Sequence, residues 1–536
     1  MSMSEQKKQS FLHGAALLAL ATAIVKVIGA LYKLPLNAIL GTKGFAYFNT
    51  AYDIYSVLLM VSTAGLPVAL SRMISAASSL DNHRQIRRIY RTAQAMFLLV
   101  GTFGSVLMTI FCRELAQFQE QPDAWAAIAC LGPSCLLVGL MSSFRGFFQG
   151  QGNMIPTSTS QVMEAACKLV VGLGAATLLL STTQSVPLAA GGAILGVTSG
   201  CAVATVYLFI LFRKAYRSLD MKLGKERSYG STAKELLSIA IPITIGSAGL
   251  QIISMIEVKI YMGQLLATGF SQDAADSMKG IFNMCQTIFN MPCAFITPLN
   301  VSAIPAITAA LTLGNHKAVR ATEESASRIT ALISMPCALG LSVLAGPVMA
   351  LLGRYTGDNL TLGSQMMSVL ALCVIFNSTV MLTNAIMQAH GNVVLPVVNT
   401  FIGGGMKLII IYILTGNPSI NINAVPFATV LCYLLITILN LLAMKRVIKQ
   451  PPKMVRNMLR PALSALIMAA AVYAVYYPLS RVFSLNSTLG QLILCAVPIL
   501  VGVVVYVLCV IKLKAITRED CLLLPKGEKI AKMLRL

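Results

Sequence analysis

The chain has 536 residues, of which 56% are apolar and only 11% charged, and its mean hydropathy is +0.76. A soluble domain carries about 25% charged residues, so this composition excludes an ordinary soluble protein. A net charge of +22 would suit nucleic acid on a soluble domain, but the 41 Lys and Arg residues are distributed as membrane topology distributes them, and no nucleic-acid partner is expected.

Apolar runs of about 20 residues, enough to cross a hydrocarbon layer of about 30 Å, recur along the whole length. They lie at 11–36, 46–74, 90–112, 124–149, 157–182, 187–212, 235–258, 280–310, 329–352, 364–389, 393–415, 421–444, 461–480 and 488–511. These runs are about twice as long as a barrel strand and lack its alternation, so the expectation is an all-α polytopic membrane protein of about fourteen helices. Lys7, Lys8 and the small-residue stretch ALATA at 19–23 imitate a signal-peptide cleavage site, but the apolar run continues past it. An uncleaved first helix is the reading. The 13 cysteines are scattered without a CxxC pair or a histidine cluster and read as buried free thiols.

Charge sets the expected orientation. With the N-terminus inside, the inner segments hold 29 Lys and Arg residues, including Arg84, Arg87, Arg88 and Arg91, the run from Arg213 to Lys234, and the tail from Lys512 to Arg535. Outer loops hold about five, namely Lys43, Arg113, Lys279, Arg354 and Arg481. Both termini are thus expected in the cytoplasm.

The chain also repeats. Gln149, Gly152, Asn153, Lys168 and Leu169 recur as Gln388, Gly391, Asn392, Lys407 and Leu408, each 239 residues later, and the loop NHRQIR at 82–87 recurs as NHKAVR at 315–320. Six expected helices separate the copies, an even number that preserves orientation. Two parallel six-helix lobes follow, 1–218 and 219–450, with helices 13 and 14 and a tail in 451–536. Transporters commonly hold substrate between such halves.

Seven basic residues fall within or at the edges of the spans: Lys26, Lys33, Arg72, Arg145, Lys168, Lys259 and Lys407. Arg72, Arg145, Lys33 and Lys259 lie near helix ends, where long side chains reach headgroups. Lys26, Lys168 and Lys407 lie about ten or more residues from at least one end, deep in the bilayer at 1.5 Å per residue. A charge there costs roughly 2.5–3.5 kcal/mol on insertion scales unless it faces protein or water, so these lysines are expected to face an internal cavity. Glu164, four residues before Lys168, offers a structural ion pair that competes with a substrate role for Lys168. Asp53 is expected to partner Lys26 or Lys33 when the cavity is empty, with Glu257 as the other candidate counter-charge. A half-buried cluster of ammonium groups suits an anionic ligand such as a phosphate or pyrophosphate. A lipid-linked sugar combines a pyrophosphate, a polar headgroup and a hydrocarbon tail. Breakers at Pro67, Pro242, Pro292, Pro298, Pro305, Pro336 and Pro347, and the glycines at 403–405, suit helices that bend or pack closely.

The stretches IVKVIGALYKLPLNAILG at 24–41, AYDIYSVLLMVSTAGLPVALSRMISA at 51–76, FRGFFQGQGNMIPTSTSQVMEAACK at 144–168 and NMPCAFITPLNVSAIPAITAAL at 290–311 resemble the polysaccharide-biosynthesis and stage V sporulation protein B family. That family belongs to the multidrug, oligosaccharidyl-lipid and polysaccharide exporter (MOP) superfamily, alongside MurJ-type lipid II flippases. The resemblance implies a MATE-like fold of two six-helix lobes plus two helices, V-shaped around a central cavity. It further implies alternating access that carries a lipid-linked cell-wall precursor outward through a bacterial plasma membrane. MurJ-type flippases use basic residues in helices 1, 2 and 8. Lys26 matches the first and Arg72 is the basic residue of helix 2, whereas the run 280–310 contains no Arg or Lys, so Lys407, Lys33 or Arg145 would substitute.

The expected substrate contacts are therefore Lys26 as the main headgroup-phosphate contact, Lys33, Arg72 and Arg145 as helpers along the path, and Lys168 and Lys407 as further cavity charges, with Asp53 and Glu164 beside them, no cofactor and no covalent chemistry. Monovalent-ion coupling, as in relatives, would have no assignable site. The partners expected are a lipid-linked saccharide pyrophosphate and membrane lipids, the chain acting as a monomer. The competing readings are a MATE-type multidrug or cation antiporter and a non-transporting scaffold of spore-envelope assembly. An enzyme is disfavoured because His13, His83, His316 and His390 are scattered and no paired loop carboxylates flank a cleft.

Overall fold

A computed structural model describes residues 3–60, 63, 65–217, 219, 225–312, 314–448, 450–485 and 487–517, with the side chains of 3–20, 23, 26, 30, 242, 246, 297–303, 305, 306, 309 and 312 excepted. Among these residues the structure is helical throughout. The helices are α1 (Met3–Met60), α2 (Leu66–Ser78), α3 (His83–Ile110), α4 (Cys112–Phe118), α5 (Trp125–Gly150), α6 (Ile155–Thr183), α7 (Val186–Arg217) and α8 (Tyr229–Ala267). They continue with α9 (Gln272–Thr312), α10 (His316–Val343), α11 (Ala345–Gly353), α12 (Gly357–Ala389), α13 (Val394–Thr415), α14 (Ala424–Val447), α15 (Met454–Val482) and α16 (Thr488–Lys512).

Eleven helices among the described residues are long and apolar enough to cross a membrane. They coincide with eleven of the fourteen expected runs. The other three, 11–36, 46–74 and 280–310, fall on α1, α2 and α9. The first two runs are not separated by a loop, as expected, but joined in α1, which is broken only at Gly41 (φ 68°, ψ −177°). A glycine tolerates that backbone at no steric cost. The second run ends in α2, whose Pro67 stands in the first turn, where its missing N–H costs no helical hydrogen bond.

The repeat is visible in backbone geometry. Asn82 (φ −87°, ψ 76°) and Asn315 (φ −88°, ψ 77°) each cap a helix, accepting from the N–H of Gln85 and Ala318. Gly152 and Gly391 both take positive φ, 78° and 82°, just past the ends of α5 and α12. The amides of Asn153 and Asn392 then reach back to the carbonyls of Phe148 and Met387, each at 2.9 Å. These are the stop signals of two copies of one helical hairpin.

By contacts the chain forms two compact units, Met1–Gly280 and Ile281–Leu536. The lobes 1–218 and 219–450 follow sequence repetition, which is a different partition. In the first unit α6 and α7 pack most extensively. Small residues allow it: a Cβ on Gly196 would overlap the backbone of Gly172. At one end of this unit Tyr90, Phe147, Phe212 and Tyr216 form an aromatic cluster with centroids 4.4–6.5 Å apart. In the second unit, α10, α12, α14 and α15 surround a core that includes Leu382, Ile386, Met387 and Met444. Twelve cysteines among the described residues are free thiols.

Candidate functional site

The first unit encloses a cavity of about 260 Å³ lined by Thr22, Gly29 and Tyr32 of α1, Tyr52 beyond the Gly41 break, Arg145 of α5, Gln161, Glu164 and Lys168 of α6, and Val197 of α7. The break at Gly41 lets one helix present Tyr32 and Tyr52 to the same space. Three of the expected site residues, Arg145, Glu164 and Lys168, converge here and leave one net positive charge on the wall.

The pairing within the cavity differs from expectation. Glu164 does not pair with Lys168. Its Oε2 accepts from Arg145 Nη2 at 3.2 Å, while Arg145 Nε donates to Ser160 Oγ at 2.9 Å. The guanidinium fork satisfies two acceptors on one neighbouring helix, a geometry that an ammonium at i+4 does not offer. Lys168 Nζ instead donates to Tyr52 Oη at 2.7 Å and lies 4.7, 5.1 and 6.0 Å from the ring centroids of Tyr52, Tyr32 and Phe48. Ring faces attract a cation at such distances. An ammonium has three donors, and among the described residues Lys168 spends one.

Asp53 also corrects the expectation. Its carboxylate lies 3.4 Å from Lys279 Nζ, while Lys33 Nζ donates to Asn49 Oδ1 at 3.1 Å. The side chain of Lys26 is outside the described residues, although Thr22 and Gly29 on the same stretch of α1 line the cavity. Lys279, read from sequence as an outer-loop residue, lies inside α9 with a fully buried side chain. The run 280–310 has no Arg or Lys, but its helix starts eight residues earlier and so carries Lys279 as a basic residue.

Lys279 is saturated where Lys168 is not. It donates to Thr50 Oγ1 at 2.6 Å and Gln121 Oε1 at 3.1 Å, besides its ion pair with Asp53. Gln121 Nε2 donates in turn to Asp276 Oδ1 at 2.8 Å, and Thr42 and Ser277 share a 2.6 Å hydrogen bond. A Cβ on Gly280 would overlap the Thr42 carbonyl, so the start of α9 lies directly on α1. This seam is structural in character: the donors of Lys279 are spent and its charge is matched by Asp53.

Arg72 lies on an exposed face of α2 and does not line the cavity. Lys407, half-buried on α13, belongs to the second unit and acts electrostatically on Cys373. No three His, Cys, Asp or Glu side chains converge as a metal set among the described residues. The second unit holds a different cavity, about 570 Å³, whose walls are almost wholly apolar and come from α9, α10, α11, α15 and α16, with Phe295, Leu341, Met468 and Val503 among its residues.

With this geometry in place, comparison with known proteins decides the family. The profile of the polysaccharide biosynthesis protein family matches residues 11–311, more than half of the chain. This chain belongs to that family. It is 25% identical to the lipid II flippase MurJ of Bacillus subtilis (strain 168), over 93% of this chain and 94% of that protein. It is also 25% identical to the uncharacterized membrane protein YabM of the same organism, over 99% and 97%. Stage V sporulation protein B of that organism is 24% identical over 82% and 85%. Among solved structures, an inward-facing multidrug resistance MATE family transporter of the MOP superfamily superposes with a TM-score of 0.67 at 14% identity, covering 80% of this chain and 98% of that one. Lipid II flippase MurJ in an inward closed conformation gives 0.66 at 14%, covering 92% and 98%. These likenesses show that the polysaccharide biosynthesis family member described here has the MOP-superfamily fold and is a multi-pass membrane protein.

Proposed function

We propose that the chain is a flippase that carries a lipid-linked saccharide pyrophosphate, a cell-wall or polysaccharide precursor, from the inner to the outer leaflet by alternating access. One observation carries the reading: Lys168 is an ammonium on a cavity wall, held by a phenol and three rings and in no ion pair among the described residues. A phosphate oxygen can take its two spare donors without first breaking an ion pair. Arg145 is the second contact, and Glu164 holds its guanidinium in place. Lys26, on the stretch of α1 that lines the cavity, Lys33, Arg72 and Lys407 are secondary contacts along the route, and Asp53 holds Lys279 at the seam.

Relatives named as a lipid II flippase and as a sporulation protein, aligned over nearly all or most of the chain, support the same substrate kind. The protein works in the plasma membrane as a monomer with both termini cytoplasmic and needs no cofactor.

The test is reconstitution in vesicles with a lipid-linked disaccharide pyrophosphate, scoring headgroup accessibility to an outside probe. Transfer well above that of protein-free vesicles is expected; transfer equal to theirs, with the protein folded and inserted, overturns the reading.

A further inference from the structure

At the end of the first unit where α3 begins and α7 finishes lies a third cavity, about 530 Å³, lined by Phe148, Ile155, Pro156, Tyr207 and Leu211, with Lys214 and Asn153 at its polar edge. We infer that this cavity is a binding site for an anionic phospholipid of the surrounding bilayer, its acyl chain along Ile155, Tyr207 and Leu211 and its phosphate at Lys214 and the side-chain Nδ2 of Asn153. The inference is independent of the transported substrate.

The repeat says what kind of group belongs there. Phe148 and Pro156 correspond, 239 residues on, to Met387 and Leu395. In the second unit Met387 is packed by Met444, Ile448 and Met454, with Leu395 against the same cluster, so residues from the end of α14 and the start of α15 fill that corner with hydrocarbon. In the first unit the corresponding corner is a cavity. It borders the lipid-facing stripe of α7, where Val206 and Ile210 are 58% and 63% exposed, and Ile155 at its edge is 59% exposed. A bilayer hydrocarbon chain reaches it sideways.

Charge selects the headgroup. Lys214 is exposed in the last turn of α7, at the level where a spanning helix meets headgroups, and Arg213 and Arg217 flank it. Arg87 lies 5.9 Å from the Tyr216 ring, so the neighbouring α3 adds further positive charge at this end. Each Lys or Arg near an anionic surface contributes about 1 kcal/mol, about fivefold in affinity.

The experiment titrates the full-length protein in detergent with phosphatidylglycerol and, separately, with phosphatidylcholine of the same acyl chains, reading lipid adducts by native mass spectrometry and melting temperature. Phosphatidylglycerol is expected to bind more tightly and to raise the melting temperature more. Lys214→Gln, an exposed change that leaves the fold intact, should weaken phosphatidylglycerol about fivefold without altering phosphatidylcholine, and Leu211→Trp, which fills the cavity, should reduce both. Equal binding of the two lipids, or no change in either variant, overturns the inference.

Discussion

The two halves of the repeat hold the same helix positions and use them for opposite purposes. In the first unit Arg145, Ser160 and Glu164 form a charged clamp on the cavity wall. Their counterparts 239 residues later are Asn384, Asn399 and Gly403. There Asn440 Nδ2 donates to Asn384 Oδ1 at 2.8 Å and Thr383 Oγ1 at 2.9 Å, while Asn399 Nδ2 donates to Asn440 Oδ1 at 2.9 Å, a neutral and buried amide network. Glycine at 403 lets α13 close onto Ile436. The comparison teaches that repetition preserved backbone geometry and not chemistry: charge stands where a ligand is to be held, amides where helices are to be joined. Lys168 and Lys407 keep the same residue in both copies, so the chemistry diverged around them.

The comparison can be broken most severely at the seam. Lys279→Ala would leave Asp53 beside a lost cation and should destabilise the protein by about 3–5 kcal/mol, as removal of one partner of a buried pair does. Lys279→Met combined with Asp53→Asn should cost less than Lys279→Ala alone, because no charge is left uncompensated. Thermal unfolding of purified protein measures both, and a double variant as unstable as the single one would show that the pair is not the seam's main determinant.

In the second unit, Asn440→Leu removes three interhelical hydrogen bonds, each worth about 0.6 kcal/mol in a membrane, so it should cost about 2 kcal/mol and should leave transport per folded molecule unchanged. A loss of transport greater than the loss of folded protein would move the amide network into the site. The smallest effect concerns an exposed loop. The Arg88 guanidinium beside Glu226 holds its carboxyl below the usual carboxylate range. A depressed carboxylate contributes stability above its unfolded value and loses it as pH falls through the folded one. The melting-temperature gap between the parent and Glu226→Gln should thus be present at neutral pH and close below about pH 4; a gap independent of pH contradicts the pairing.

Much of the fold was legible because hydropathy and the repeat are written at the scale of whole helices. The Asn82 and Asn315 caps and the Gly152 and Gly391 turns realise the sequence echo residue by residue. Lys279 was missed because polar DAADSMKG lowers the hydropathy that marks a span, although Ser271 caps the following amide of Ala274 and Asp273 occupies the first turn, both helix-start signals. The Glu164 pairing was missed for another reason. An i, i+4 rule sees only one helix, whereas Arg145 reaches Glu164 from α5, across the turn at Gly152. Lys168 was readable as a buried cation and Arg145 only as a cation near a helix end; their shared cavity with Tyr52 depends on the kink at Gly41, which no local pattern announces.

The central claim is that Lys168 receives the substrate's phosphate, and comparing Lys168→Gln with Lys168→Arg in the vesicle assay tests it most directly. Both variants should fold, since the side chain carries no ion pair; the glutamine should transfer less than about one-hundredth as fast as the parent, equivalent to a loss near 3 kcal/mol for a charge-assisted hydrogen bond, and the arginine should retain much of the rate. Glutamine transferring lipid-linked saccharide as fast as lysine would contradict the account.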